Sequence, residues 1–303
     1  MSEQRSVLVT GATGNQGGAV VDHLLASETA FDVRGLTRDA TSDAAADLDA
    51  RGVTMVEGDL NDTATLVDAL DGVDQVFAVT NFWTQGYDRQ VQQGKNLADA
   101  AAEVGVDQFV FSGVGSHHLN TGVPHFDSAH EIERHAQNLG LPVTTLQPVF
   151  FYQNLEAFVE SIVDDGTLAL PLAAGVPLQM IDVDDLGRVA ATALAAPEEY
   201  AGESFELAGD ELTLAEAAAV LTEVTGEEVE AYNVPIEDAY EDFGEEFTVM
   251  CEWFNEVGYS ASVAGLPDRF GFELTTLAEY LEEHGWTDKS EPASTPGWVK
   301  AFQ

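Results

Sequence analysis

A β-branched and leucine run, Val7-Leu8-Val9, passes through Thr10 into Gly11-Ala12-Thr13-Gly14-Asn15-Gln16-Gly17-Gly18, and an apolar stripe at helical spacing follows at once. No other stretch of the 303 residues constrains the fold as tightly. Strand, glycine-spaced turn and helix in immediate succession open a βαβ unit, and such units build parallel sheets. The G-x-x-G-x-x-G spacing lets backbone turn sharply and approach an anion closely. The helix start adds unpaired N–H groups and the positive end of its dipole. The loop therefore reads as a pyrophosphate cradle, with Gly11, Thr13, Gly14, Asn15, Gln16 and Gly17 as candidate dinucleotide contacts. Glycine-rich turns also arise from packing alone, so the loop needs support from the rest of the chain.

Downstream, Val20, Val21, Leu24 and Leu25 mark one helical face. Apolar runs at 31–38, 53–60, 75–79, 108–111 and 143–146 read as further strands. Helical patterns fill 44–51, 62–70 and 89–104, the last ended by Gly105. Ser128 followed by Glu131 reads as a capping box, with Ile132, Ala136 and Leu139 as the buried stripe before Gly140. Strands apolar on both faces and alternating with helices imply an α/β, Rossmann-type doubly wound parallel sheet with helices on both faces. Beyond residue 150 the rhythm changes. Residues 168–180 read as turns and short strands, and 182–194, 238–255 and 274–284 as helices. Thr213 with Glu216 caps another helix that runs to Val224. The expected division is a nucleotide domain at 1–150, a smaller α+β domain at 151–289 interleaved with it, and a flexible tail at 290–303.

Charge narrows the function classes. There are 54 Asp and Glu against 11 Lys and Arg, a formal charge of −43, and the lysines are only Lys95, Lys289 and Lys300. Disorder would require few apolar residues, whereas 45% of this chain is apolar. A folded protein adapted to concentrated salt fits both facts. Such a surface disfavours direct nucleic-acid binding, which relies on Lys and Arg. Cys251 is the single cysteine, so no intramolecular disulfide is possible. His117, His118, His130 and His135 show no spacing matched by acids on one face, and no metal site is expected. With no signal-like start and no apolar run near the roughly 18 residues of a membrane span, the expected setting is the cytoplasm.

The end of the second strand bears on the choice of nucleotide. An acid there would hold a ribose 2′-hydroxyl, and an arginine would accommodate a 2′-phosphate. Thr37-Arg38 offers no acid, which favours NADP(H) over NAD(H). Asp59-Leu60 after the third strand stands where an adenine edge would lie. Thr80-Asn81-Phe82 after the fourth would line the nicotinamide channel.

Taken together, G-A-T-G-N-Q-G, V-R-G-L-T-R-D, V-E-G-D-L-N-D, H-F-D-S and P-V-F-F-Y-Q-N resemble the NmrA-like family in order over about residues 5–235. These are atypical relatives of the short-chain dehydrogenase/reductases and include NADPH-sensing regulators of the HSCARG type. The resemblance implies a dinucleotide lying across the strand ends, with Phe82, Trp83, Phe126, Phe150, Phe151 and Tyr152 toward the nicotinamide end. It also exposes departures. Active short-chain dehydrogenases carry a Tyr-x-x-x-Lys pair whose positions here read His125 and Ala129, and the lysine common in the family's H-F-D-x-K is absent. Ser112 and Ser116 only flank the usual place of the serine. His125 is the candidate general acid, with a pocket hydrogen bond or a structural role as rival readings. The missing catalytic pair favours an NADP(H)-responsive sensor or regulator with a protein partner and little dehydrogenase activity. The alternative is an NADPH-dependent reductase of a small apolar quinone, enone or related carbonyl compound.

Overall fold

A computed structural model describes residues 4–288; the expected tail at 290–303 lies outside the described residues. The first six strands are β1 (Arg5–Val9), β2 (Phe31–Thr37), β3 (Thr54–Glu57), β4 (Gln75–Ala78), β5 (Gln108–Ser112) and β6 (Val143–Pro148). Together with the strand Ser204–Leu207 they form a seven-stranded sheet. Its order is Ser204–Leu207, β6, β5, β4, β1, β2, β3. Adjacent pairs among β1–β6 are parallel, with Val7 opposite both Val33 of β2 and Gln75 of β4. The chain winds outward from β1 to β3, then returns to β4 on the other side of β1. That reversal opens a crevice at the carboxyl ends of β1 and β4, where open α/β sheets bind ligands. Val7, Leu8 and Val9 are completely buried, as expected for a strand covered on both faces.

The connecting helices are α1 (Asn15–Ala26), α2 (Asp43–Ala50), α3 (Thr63–Ala69), α4 (Phe82–Gln85), α5 (Tyr87–Val104) and α6 (Pro124–Asn138). Gly105 ends α5 in the left-handed conformation, with its N–H on Ala101 O. α1 buries Val20, Val21 and Leu24, but Leu25 is 39% exposed. α6 buries Ile132 and Ala136, but Leu139 is 41% exposed. Leu25 stands at the edge of its stripe, where about 100° of rotation per residue carries a side chain off the buried face, whereas Leu139 lies just past Asn138, the last residue of α6. The expected capping box at Ser128 is absent because α6 starts at Pro124, whose fixed φ suits a first helical position. Ser128 is therefore inside the helix. β3 makes its last ladder bond to β2 through Gly58 N–H on Thr37 O, and Asp59 then begins a turn.

The described residues divide into two compact units, and the first contains 4–118, 125–147 and 183–205. The last segment belongs with the sheet, although a single cut near 150 leaves it outside. Its helix Val183–Ala195 places its final carbonyls on polar side chains at the lower end of the sheet. Arg5 donates to Leu194 O (3.3 Å) and Ala195 O (2.8 Å), Gln75 Nε2 to Leu194 O (2.9 Å), and Gln108 Nε2 to Ala193 O (3.2 Å). Helix-end carbonyls need such donors, and a cation there also complements the helix dipole.

Among the described residues, the second unit holds 119–124, 148–182 and 206–288. It has a three-stranded sheet of Asp210–Thr213, Pro177–Ile181 and Phe150–Phe151, and a parallel pair, Thr167–Leu170 with Glu230–Asn233. The Thr213–Glu216 capping box is present at the start of the helix Leu214–Thr225. Residues 238–255 are two helices rather than one, Ile236–Asp242 and Glu245–Glu256, separated at Phe243 and Gly244.

Candidate functional site

The crevice is built from the end of β1. Thr10 N–H bonds to Phe77 O (3.0 Å), its hydroxyl donates to Val79 O (2.9 Å), and the same oxygen accepts Val79 N–H (2.8 Å). These three bonds lock β1 to β4 where the glycine loop leaves the sheet. Gly11 then takes a φ of +60°, which suits a residue without Cβ. A Cβ on Gly17 would lie 2.2 Å from Gly11 O and 2.7 Å from Thr10 O. Only hydrogen at that position lets α1 press against the turn. Gly14 is the N-cap of α1, with no side chain accepting from the first turn and no acid in it. Thr13, Gly14 and Asn15 are exposed, so the free N–H groups of the helix end face outward. The loop fits a pyrophosphate: an exposed turn at a helix start whose first donors have no side-chain acceptor. Gln16 looks across the crevice, its Oε1 accepting from the Ser112 hydroxyl at the end of β5 (2.7 Å).

At the ends of β2 and β3, Arg38 is exposed. Its neighbour Asp39 turns away, accepting from Thr41 N–H (2.9 Å) and Thr41 Oγ1 (2.6 Å). A simple Arg38–Asp39 surface pair is therefore not formed. Thr37 Oγ1 accepts Asp39 N–H (3.2 Å). Asp59 Oδ1 accepts the Asn61 N–H (2.9 Å) and side-chain amide (2.7 Å). Those bonds, with smaller contributions from Arg38 and Arg89, hold its carboxyl below the usual range. Leu60 presents its carbonyl to Asn96 Nδ2 (2.8 Å).

Beyond β4, Thr80 Oγ1 accepts from Gln90 Nε2 (3.1 Å), and Gln90 Oε1 accepts from the Ser128 hydroxyl (2.5 Å). This chain ties the end of β4 to α5 and α6. Asn81 caps α4 by accepting Thr84 N–H (3.2 Å). α4 sets Phe82 and Trp83 beside His125, with ring centroids at 5.6 and 5.2 Å, while Phe126 stands edge-on to it at 4.6 Å. His125 is 8% exposed in this aromatic nest. Ala129, one turn on, lies in the apolar core with Ile132 and Ala136. Ser116 is fully buried, at a φ of 57°. Phe150 belongs to the second unit, where it is buried and pairs with Met180. Thr10, Gln90, Gln93 and Asn96 escaped the sequence reading. The available signal was a run of amides at 90, 93 and 96 on the otherwise apolar face of α5.

Against the expectation that no acid matches the histidines on one face, His130 and Glu133 stand three apart on one face of α6, and His117 joins them. His117, His130 and Glu133 place ligand-type atoms within 4.8 Å of one another. Val114 N–H points at His117 Nδ1 (3.2 Å), so the ring proton is on Nε2 and donates to Glu133 Oε2 (2.8 Å). A metal ion on that nitrogen would have to displace this proton while Nδ1 still faced a donor. The group is thus organised as a buried histidine–carboxylate pair. Thr145 donates to the other carboxylate oxygen (2.5 Å). Burial works to raise the Glu133 pKa, but the bonds from His117 and Thr145 and the neighbouring charge outweigh it and hold it low. A carboxyl depressed on folding stabilises the protein above its unfolded pKa, near 4.5, and loses that contribution as pH falls through the folded value. Glu133→Ala would strand two buried donors and is expected to cost about 3 kcal/mol. Urea denaturation at neutral pH measures that loss, and the gap from wild type should narrow below about pH 4.

A "NAD(P)H azoreductase" from Xenophilus azovorans is 35% identical over 77% of this chain and 78% of its own length. An NADPH-dependent quinone oxidoreductase from Escherichia coli, solved with NADPH, superposes with a TM-score of 0.82 at 23% identity, covering 92% of this chain and 99% of that one. The negative transcriptional regulator NmrA, solved with NADP, gives 0.75 at 20% identity, over 95% and 99% of the two chains. These two likenesses establish the shared Rossmann-like fold. Among the described residues, no helix is long and apolar enough to cross a membrane. Residues 3–283 match the NmrA-like family, and the chain belongs to that family.

Proposed function

We propose that this chain is an NAD(P)H-dependent reductase of planar, conjugated acceptors such as quinones and azo compounds, with NADPH the preferred donor. The observation that carries this reading is His125 among Phe82, Trp83 and Phe126, in the stretch whose resemblance sets it against the dehydrogenase tyrosine. Flat aromatic walls stack on flat acceptors at offset or edge-on geometry. The missing Tyr-x-x-x-Lys pair fits the same chemistry. Reduction of a simple ketone leaves a strongly basic alkoxide, which needs an acid held in place. A quinone or azo acceptor spreads the charge over its π system, so water or an imidazolium suffices as proton donor. A bound NAD(P)H supplies the hydride. The glycine loop holds the pyrophosphate, Thr80 and Asn81 border the channel, and His125 delivers or orders the proton. The azoreductase relative supports this choice among the family's functions.

Ala129 favours a second reading, a nucleotide-responsive regulator, because that position contributes packing rather than an ammonium group. A regulator requires different affinities for the oxidised and reduced nucleotides. Incubation with NADPH and a panel of quinones and monoazo dyes separates the two. The reductase reading expects steady NADPH consumption matched by acceptor loss. It also expects a fall of about 100-fold in kcat for His125→Ala if the imidazole moves the proton. Tight NADPH binding without consumption of any acceptor would overturn it in favour of the regulator.

A further inference from the structure

Among the described residues, Arg38 and Arg89 form no hydrogen bond or ion pair. In a chain with 54 acids and 11 cations this calls for an explanation. Arg134 on α6 shares this state, but Arg5 is engaged on helix-end carbonyls, Arg34 with Asp32, and Arg51 with Asp22. Arg89 also stands in the first turn of α5, where the helix dipole disfavours a cation. Helix stability therefore does not account for it.

The placement of α5 suggests what does. Gln93 Nε2 donates to Asn61 Oδ1 (3.3 Å) and Asn96 Nδ2 to Leu60 O (2.8 Å), fastening that face of the helix to the loop after β3. Arg89 precedes these residues by four and seven positions, so it lies on the same face. α5 starts at the carboxyl end of the sheet, which puts Arg89 a turn nearer the crevice mouth than Gln93. Arg38 approaches the same loop from the end of β2, the strand paired with β3. Both guanidinium groups act on the carboxyl of Asp59 in that loop. Asp59 is not their hydrogen-bond partner, because its Oδ1 is taken by Asn61.

We propose that Arg89 acts with Arg38 as a two-cation clamp on the 2′-phosphate of NADP(H), so that α5 as well as the end of β2 sets cofactor choice. This rests on reading the glycine loop as a dinucleotide cradle. A phosphate monoester carries about −1.5 to −2 charges at pH 7, and one arginine leaves it incompletely neutralised on a surface this acidic. Two guanidinium groups from different elements can also bind different oxygens.

The test uses the full chain at fixed salt and titrates NADPH, NADH, 2′,5′-ADP and 5′-AMP into wild type, Arg38→Gln and Arg89→Gln. Circular dichroism first establishes that each variant is folded. Arg89→Gln should weaken NADPH and 2′,5′-ADP by about tenfold or more and leave NADH and 5′-AMP unchanged. Equal weakening of phosphorylated and unphosphorylated ligands would overturn the clamp, since Arg89 would then be acting on adenine or on the helix. Unchanged binding of all four would overturn it equally. Failure of wild type to bind any of the four would instead remove the cradle reading on which the clamp rests.

Discussion

Replacing Gly17 by alanine is expected to destabilise the protein by at least about 3 kcal/mol and to abolish dinucleotide binding, whereas Gly14→Ala should fold normally. The contrast follows from what each added methyl would meet. At Gly17 the Cβ would lie 2.2 Å from Gly11 O, 2.4 Å from Gly11 C and 2.7 Å from Thr10 O. All three are backbone atoms, so no rotamer change relieves the overlap. Moving them would pull Thr10 from its bonds with Phe77 and Val79 and separate the ends of β1 and β4. Shifting α1 instead would disturb Val20, Val21 and Leu24, all buried at the sheet. At Gly14 the nearest atom is Gly11 O at 3.4 Å, and φ −101°, ψ 179° is open to any residue. Gly14→Ala should therefore change stability by less than about 1 kcal/mol, and any loss of NADPH affinity would report crowding at the cradle. Urea denaturation and nucleotide titration of both variants supply the measurements. A Gly17→Ala protein with wild-type stability would mean that the loop is not packed this way.

The parts of the fold legible in the sequence are those set by local chemistry. The run Val7–Val9 is a buried strand because every side chain is apolar, and Gly105 ends a helix because it adopts the left-handed conformation. Ser128 shows how a local signature misleads. Its spacing to Glu131 satisfies the capping pattern, but Pro124 starts the helix a turn earlier. The Ser128 hydroxyl then goes to Gln90, while Glu131 pairs with Lys95. The helix Val183–Ala195 was recognisable, but its membership of the first unit depends on Arg5, Gln75 and Gln108, far away in sequence. The His117–Glu133 pair was hidden for a related reason. A turn containing Ser116 at positive φ brings a residue after β5 against one in mid-α6. Of the candidate site, the glycine loop and Arg38 stood out because few residue types serve there. Arg89 did not, because its importance comes from where Gln93 and Asn96 fasten α5.

Raising KCl from about 0.1 M to about 1 M, over which the Debye length falls from about 10 Å to about 3 Å, is expected to raise the thermal midpoint by roughly 10 °C or more. The source is the charge of −43, which repels itself across the compact state. Internal pairing cannot remove it. Several cations are already committed, Lys95 to Glu131, Arg51 to Asp22 and Arg34 to Asp32, and even full pairing of 11 cations would leave most of 54 acids unmatched. The apolar core is extensive, with strands such as β5 buried along their whole length, so the chain has a folded state for screening to restore. Salt can also act by exclusion from the surface, which strengthens apolar burial. Sucrose provides the control, since it is excluded but does not screen. Screening predicts a steep rise at low KCl that flattens near 1 M and is absent in sucrose. A rise that is linear in both solutes, or a midpoint insensitive to KCl, would show that the acids are far enough apart to tolerate one another without salt. The same titration sets the conditions for every nucleotide measurement above, because a binding defect recorded in dilute buffer would be inseparable from unfolding.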